Sequence, residues 1–216
     1  MKIALLGATG FVGTAFLTEA LSRGHRVTAI VLDPAKLTTQ NERLTVVAGD
    51  VNNTAQLARQ LTGHDLVLSA YNAGWGNPNL YDDFLAGSRA IEQATAQAGV
   101  PRLVVSGGAG SLFIDGHQLV DGPQFPAEYK VGATAARDYL NELKKNTQLD
   151  WTFFSPSIEM HPGIDTGRTG HYRLGTDSPV FNANGRSFLS VEDTAVVVLD
   201  EVEKHQFSRQ RFTAAY

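Results

Sequence analysis

Three glycines at fixed spacing, Gly7-Ala8-Thr9-Gly10-Phe11-Val12-Gly13, are the residues best placed to hold a charged ligand. They follow the apolar run Lys2–Leu6 and open a segment, Val12–Ser22, in which Val12, Phe16, Leu17, Ala20 and Leu21 recur at helical spacing. A strand, a glycine turn and a helix start, in that order, make a phosphate cradle. One glycine permits the tight turn, one lets backbone approach a pyrophosphate, and one lets the helix pack on the strand; the helix N-terminus then offers free N–H groups and a positive dipole end. A glycine-rich turn without a ligand is the plainer reading. Ser106 closes another apolar run, where its hydroxyl can meet a ligand or bond to its own backbone.

Other chemistries lack their residues. The chain has no cysteine, which removes disulfides, thiolate metal sites and a cysteine nucleophile together. The six histidines show no ligand spacing, and a His-Glu-x-x-His pattern is missing. No Gly-x-Ser-x-Gly elbow occurs, Gly110-Ser111-Leu112 being the nearest approach. With 18 basic against 22 acidic residues the net charge is −4, and no basic stripe offers a grip on nucleic acid. The amino-terminal apolar run is too short for a secretory signal, and no stretch approaches the ~18 apolar residues of a membrane span, so a cytoplasmic protein without membrane contact is expected.

The elements that must position these residues alternate regularly. Runs at Lys2–Leu6, Arg26–Leu32, Leu44–Ala48, Asp65–Ala70, Arg102–Ser106 and Asp150–Ser155 read as buried strands. Between them Val12–Ser22, Thr54–Leu61, Asp82–Ala98 and Ala127–Lys145 read as helices; Val191–Glu203 is a further helix and Arg211–Tyr216 a last strand. This alternation predicts an α/β Rossmann fold over residues 1–216, one domain with a doubly wound, mostly parallel sheet and helices on both faces. Two long segments, 107–125 and 156–188, interrupt the rhythm. Each follows a strand at its carboxyl end, where open α/β sheets bind ligands, so both are expected to wall the substrate side of a cleft.

The order Gly-Ala-Thr-Gly with a third glycine three residues on resembles the atypical branch of the short-chain dehydrogenase/reductase superfamily. Further stretches resemble, more narrowly, the family of proposed NADH-flavin reductases, which is related to biliverdin reductase B and to NADP-sensing regulators. They are Val105-Ser106-Gly107-Gly108-Ala109-Gly110-Ser111-Leu112, Trp151-Thr152-Phe153-Phe154-Ser155-Pro156, Gly167-Arg168-Thr169-Gly170 with Tyr172-Arg173-Leu174-Gly175, and Arg211-Phe212-Thr213. The resemblance spans essentially the whole chain.

It implies a nicotinamide cofactor held by Gly7, Thr9, Gly10, Phe11, Val12 and Gly13. Family members often end the second strand in Val-Arg-Asp, the Arg holding the 2′-phosphate of NADP; here the residues are Val31-Leu32-Asp33. Asp33 stands about 20 residues beyond the last glycine, where an acid bonds the ribose 2′-OH of NAD, yet Asp33-Pro34-Ala35-Lys36 also reads as a helix cap. Lys36 and the Thr9 hydroxyl are within chain reach of a 2′-phosphate, and on family grounds NADP(H) is favoured slightly over NAD(H). Gly49-Asp50-Val51 resembles the adenine clasp of the superfamily, or is an ordinary Gly-Asp turn. Ala70 and Tyr71, ending the fourth strand, fall where the resemblance implies the ribose and pyrophosphate. Ser106 takes the place of the superfamily's catalytic serine, followed by Gly107, and Ser155-Pro156-Ser157 is implied to lie near the carboxamide.

The usual Tyr-x-x-x-Lys acid dyad is missing: Tyr129 is followed by Ala133 and Tyr139 by Leu143. That disfavours alcohol and sugar dehydrogenation, whose carbonyl oxygen needs a positioned proton. Hydride transfer to a free flavin or a quinone-like flat acceptor makes no such demand, with flavin as substrate rather than tightly held cofactor. Gly108, in a run that either admits a flat ring or hinges a lid, and His161, Arg168, His171, Tyr172 and Arg173 of the second long segment are the residues able to meet an anionic or aromatic acceptor. A non-catalytic NAD(P)-binding redox sensor fits the missing dyad equally, and a nucleotide-sugar epimerase or dehydratase fits it least. No heptads or broad apolar helix face choose between monomer and homodimer.

Overall fold

A computed structural model describes all residues 1–216. The amino-terminal half alternates strand and helix except between β2 and β3, which only the single turn Pro34–Lys36 separates: β1 (Lys2–Leu6), α1 (Phe11–Ser22), β2 (Arg26–Val31), β3 (Leu44–Ala48), α2 (Thr54–Leu61), β4 (Leu66–Ser69), α3 (Leu80–Gln97) and β5 (Arg102–Ser106). The rest comprises a two-strand hairpin, β6 (Phe113–Ile114) and β7 (His117–Gln118), then α4 (Ala127–Leu143), β8 (Asp150–Ser155), β9 (Arg173–Gly175), α5 (Val191–Lys204) and β10 (Gln210–Ala215). Eight strands form one sheet in the order β3-β2-β1-β4-β5-β8-β10-β9. All neighbours are parallel except β9, which runs antiparallel to β10. This is the doubly wound Rossmann arrangement, and its strand order reverses beside β1, between β1 and β4, where such sheets open a crevice at their carboxyl ends.

The central strands bury both faces, which is why they read as unbroken apolar runs. Ile3, Leu5, Leu66, Leu68 and Val104 point to a core closed by α1 and α5, whereas Ala4, Leu6, Val67, Leu103 and Val105 point to a second core closed by α2, α3 and α4. Short residues let neighbouring elements close: Gly7 leaves the plane of β1 at φ +80°, a conformation that favours glycine. At the opposite, amino end of the sheet the buried Arg102 of β5 ties α5 down. Its guanidinium donates to the Val202 and Glu201 carbonyls and to Glu201 Oε1, at 2.8 to 3.0 Å.

The predicted segments and the observed ones agree to within two residues at each end. What the pattern did not foretell lies inside the two long segments. The first holds the β6-β7 hairpin, whose strands are two residues each. The second contributes β9, only three residues long, to the sheet edge. Pieces this short carry no readable periodicity, so only the neighbouring strand reveals them. No helix is long and apolar enough to cross a membrane.

Candidate active site

The glycine turn between β1 and α1 is shaped by two close backbone approaches. A Cβ on Gly7 would lie 2.4 Å from the Ala70 carbonyl oxygen, and one on Gly13 would lie 1.9 Å from the Gly7 carbonyl oxygen. Both positions therefore exclude every side chain, and α1 starts directly over the ends of β1 and β4. Gly10 caps α1 with no side chain accepting from its first turn, and that turn holds no acidic residue. The other four helices each have a capping side chain, first-turn acids, or both: Asn53 for α2, Asp82 and Asp83 for α3, Glu128 for α4, and Ser190 with Glu192 and Asp193 for α5. Of the five, α1 alone lacks both a capping side chain and a first-turn acid, which leaves its N–H donors and positive end open to an external anion. Thr9, Gly10 and Phe11 are exposed there, while Thr14 Oγ1 turns inward, donating to the Ala8 and Gly10 carbonyls. This donor set and cradle fit a dinucleotide pyrophosphate.

Along the crevice toward β2, Leu32 is 77% exposed. The Asp33 carboxylate accepts from the Ala35 N–H at 3.1 Å and caps the single turn Pro34–Lys36, so the capping alternative is the one the geometry displays. Lys36 beside it is exposed. Asp50 accepts from the Asn52 N–H at 2.9 Å in a turn, and Val51 packs on the second core. Ala70 and Tyr71 supply the backbone against which Gly7 closes. The Tyr71 ring stacks on Phe84 and lies over Gly87, with its hydroxyl donating to the Asp83 carbonyl at 3.1 Å. Burial, with the Asp83 and Asp50 charges, pushes its phenol up to about 12, so it stays protonated and fixed to α3.

At the end of β5, Ser106 is half-buried and its hydroxyl makes no hydrogen bond within the protein. Gly107 continues the ladder by donating to the Phe154 carbonyl, and a Cβ there would strike the Phe153 ring at 1.9 Å. Gly107 is thus required by core packing. Gly108 and Gly110 lean on α4: added Cβ atoms would stand 3.4 Å from Ala136 and 3.0 Å from Ala133. The run packs against α4. Pro156 and Ser157 at the end of β8 are buried, and His161 is exposed, its Nδ1 accepting from the Gly163 N–H at 3.0 Å.

Three residues that sequence reasoning offered to the acceptor are engaged elsewhere; Arg173 donates to the main-chain oxygens of Phe181 at 2.8 Å and Tyr216 at 2.5 Å. Arg168 makes a two-pronged ion pair with Glu19 of α1, at 2.8 and 2.9 Å, and the Tyr172 hydroxyl donates to Asp200 of α5 at 2.5 Å. Burial, helped by Asp200, raises the Tyr172 phenol well above its ordinary range. The intervening Thr169 and Gly170 N–H groups donate to the buried Asp193 carboxylate. Tyr216, on the last residue, donates to the same carboxylate at 2.5 Å. The Gly167-Arg168-Thr169-Gly170 loop is strapped over α1 and α5. Beside it an open groove of about 530 Å³ runs from Thr9 and Phe11 to Arg168 and Glu192, away from Ser106.

A charged cluster that the pattern did not single out joins the two long segments. Arg211, almost wholly buried on β10, donates to Ser111 Oγ at 3.0 Å, Ser155 Oγ at 3.3 Å and Asp177 Oδ1 at 2.9 Å. The Phe113 N–H donates to the Asp177 carbonyl. An arginine inside an apolar terminal strand was the available signal, because a buried guanidinium must find partners.

The sequence profile of the NAD(P)H-binding family matches residues 7–205, and the chain belongs to that family. It is 37% identical to the uncharacterized protein YwnB of Bacillus subtilis strain 168 over 216 residues, covering 99% of this chain and 97% of that one. A Bacteroides thetaiotaomicron structure provisionally called an epimerase is 42% identical, with a TM-score of 0.91 over 100% of this chain and 96% of that one. A Streptococcus pneumoniae TIGR4 structure provisionally called an NADH-flavin reductase is 35% identical, with a TM-score of 0.88 over 100% and 99% of the two chains.

Two outcomes follow from this geometry. Gly13→Ala forces the turn open against a backbone oxygen that cannot retreat, so NADPH affinity in a binding titration falls at least about tenfold, a change of roughly 1.4 kcal/mol; undiminished affinity would mean the cradle does not bind the pyrophosphate. The second concerns acid. Hydrogen bonds from Arg168 and then Arg23 hold the Glu19 carboxyl below its ordinary 4.5, against the opposing effect of burial. A depressed folded-state value contributes stability that is complete above 4.5 and is lost as pH falls through the lower folded value. Glu19→Gln therefore flattens the acid limb of a melting-temperature profile below that pH, and an unchanged limb would remove Glu19 from the account.

Proposed function

We propose that the protein is an NAD(P)H-dependent reductase that delivers hydride to a free flavin or a related flat, quinone-like acceptor. The observation that carries this reading is the composition of the crevice at Ser106: an unpartnered hydroxyl beside the dinucleotide cradle, with no phenol-ammonium pair to protonate a carbonyl oxygen. Tyr139 is buried in the core, its phenol raised well above the ordinary value chiefly by burial, and Tyr129 has Ala133 where a lysine would stand.

When bound, a reduced nicotinamide supplies a hydride from its C4. The chain's residues bind and orient. Gly7, Gly10 and Gly13 seat the pyrophosphate under the open end of α1, Ala70 and Tyr71 form the backbone floor, and Ser106 offers its hydroxyl to the carboxamide or the acceptor. Flavin N5 takes the hydride, and N1 takes its proton from water or remains an anion, so no acid is required of the protein and alignment supplies the rate. The cytoplasm, rich in reduced nicotinamide, suits this work. Similarity to the Streptococcus protein supports the reading. The epimerase name of the Bacteroides protein fits less well, because taking hydride from an alcohol carbon calls for a positioned base.

The test is consumption of NADPH and NADH at 340 nm with FMN, riboflavin and a small quinone, beside a cofactor titration. Saturable turnover with a flat acceptor is the expected result; tight NAD(P) binding with no turnover would replace the reductase by a redox sensor. The exposed Leu32 bears on cofactor choice. Leu32→Arg restores a cation at the end of β2, and one charged hydrogen bond to a 2′-phosphate, about 1.5–3 kcal/mol, raises the NADPH to NADH preference roughly tenfold or more. An unchanged ratio would show that the 2′ position does not reach this residue.

A further inference from the structure

Two large aromatic side chains stand exposed at the carboxyl edge of the sheet with no role in the account so far. Trp75, 59% exposed, lies in the segment joining β4 to α3, and Tyr129, 48% exposed, lies in the first turn of α4. Their rings meet edge to face, centroids 5.6 Å apart and planes at 84°. We propose that Trp75 and Tyr129 form an aromatic shelf that holds the flat ring of the acceptor and sets specificity for it; this rests on the reductase reading above.

Three observations distinguish the shelf from incidental surface rings. The first is place. β4 and β5 are neighbours in the sheet, and the segments that carry Trp75 and lead to Tyr129 leave their carboxyl ends, the edge where Ser106 sits. The second is continuity. The indole of Trp75 rests on Gly132, where a Cβ would come within 2.7 Å of its Cζ3 and 3.3 Å of Leu80. The next residues on the same helix, Ala133 and Ala136, are those against which Gly110 and Gly108 lie. One wall thus runs from the end of β5 across α4 to the indole.

The third observation is rigidity. The segment under Trp75 is braced by the Asn72 side chain, which accepts from the Gly74 N–H at 2.7 Å. It is braced again by Asn77, which donates to the Ala73 carbonyl at 3.1 Å and to Asp83 at 2.8 Å. Gly74 takes φ +100°, a conformation only glycine adopts freely. An exposed ring held in place this way loses little freedom when a ligand stacks on it, which is the condition for useful affinity. Electron-rich indole and phenol rings suit an electron-poor isoalloxazine or quinone, and neither residue supplies a charge for an anionic sugar nucleotide.

The test uses the full chain and riboflavin, which has no phosphate to bind elsewhere. Riboflavin emission is quenched on contact with indole or phenol, and the titration is run with oxidised NADP so that no turnover intervenes. Saturable quenching is expected in the wild type. Trp75→Ala weakens it roughly tenfold and raises the riboflavin KM by a similar factor, with a smaller change in kcat and none in NADP affinity. Trp75→Phe, which keeps a ring, recovers most of both, and Tyr129→Ala moves the same two quantities in the same direction. If wild-type riboflavin turnover is saturable but KM is untouched by Trp75→Ala and Tyr129→Ala, the shelf is wrong and the reductase stands. Quenching that Trp75→Ala abolishes, without turnover in the wild type, keeps the shelf and removes the reductase. Absence of saturable quenching in the wild type overturns the shelf whatever the turnover.

Discussion

The contact on which the rest of the site depends is between two backbone groups. The first turn of α1 comes so near the β1 turn that the Gly7 carbonyl oxygen occupies the space a Gly13 side chain would need. Gly7 in turn presses on the Ala70 carbonyl at the end of β4, so three elements meet without a side chain between them. Because α1 is seated there, its N-terminus lies beside the point where the sheet reverses its strand order, and, apart from the Gly10 N–H, which donates to the Gly7 carbonyl, its first-turn donors have no internal acceptor. The open donors at this end of α1 are set by that backbone approach more than by any one side chain.

The two flanks of the crevice are built by different means. On the α1 and α5 side, charge fixes the wall: Glu19 grips Arg168, and the buried Asp193 collects the Thr169 and Gly170 N–H groups together with Tyr216. Such a carboxylate, withdrawn from water, must be satisfied by several donors, and that requirement holds the strap in one place. On the α3 and α4 side, small residues fix the wall. Gly108, Gly110 and Gly132 bring backbone and rings against the helix with no ion pair needed. Arg211 joins the two long segments from beneath through Ser111, Ser155 and Asp177, so their spacing across the cleft is set by one buried guanidinium.

A division of labour emerges from this construction. On the charged flank Arg168 and the Tyr172 phenol are engaged by α1 and α5, and on the aromatic flank Trp75 and Tyr129 stand exposed. On the proposed reading, a site with an exposed aromatic pair, a free serine hydroxyl and no Tyr-x-x-x-Lys dyad suits transfer to a flat acceptor whose own chemistry stabilises the product. It suits poorly a reaction in which the protein must move a proton at a carbon-bound oxygen.

Much of this was legible in the residues alone. Apolar runs of four to six residues, alternating with helical spacing, determine the parallel sheet and its covering helices because each strand buries both faces. The glycine spacing after β1 determines the cradle, since only residues without a Cβ permit the two approaches, and the lack of a Tyr-x-x-x-Lys pair is a matter of composition at fixed positions. The direction of long, flexible side chains was not so determined. Arg168 and Tyr172, read from their types as acceptor contacts, face α1 and α5 instead, because Glu19 and Asp200 lie there, far away in the chain. Arg211 and Asp177, or Trp75 and Gly132, likewise become partners only when distant segments cross. Local pattern decides which elements form, because backbone and burial periodicity are short-range. Tertiary packing decides where a charge or a ring points, because the group that holds it comes from another part of the chain.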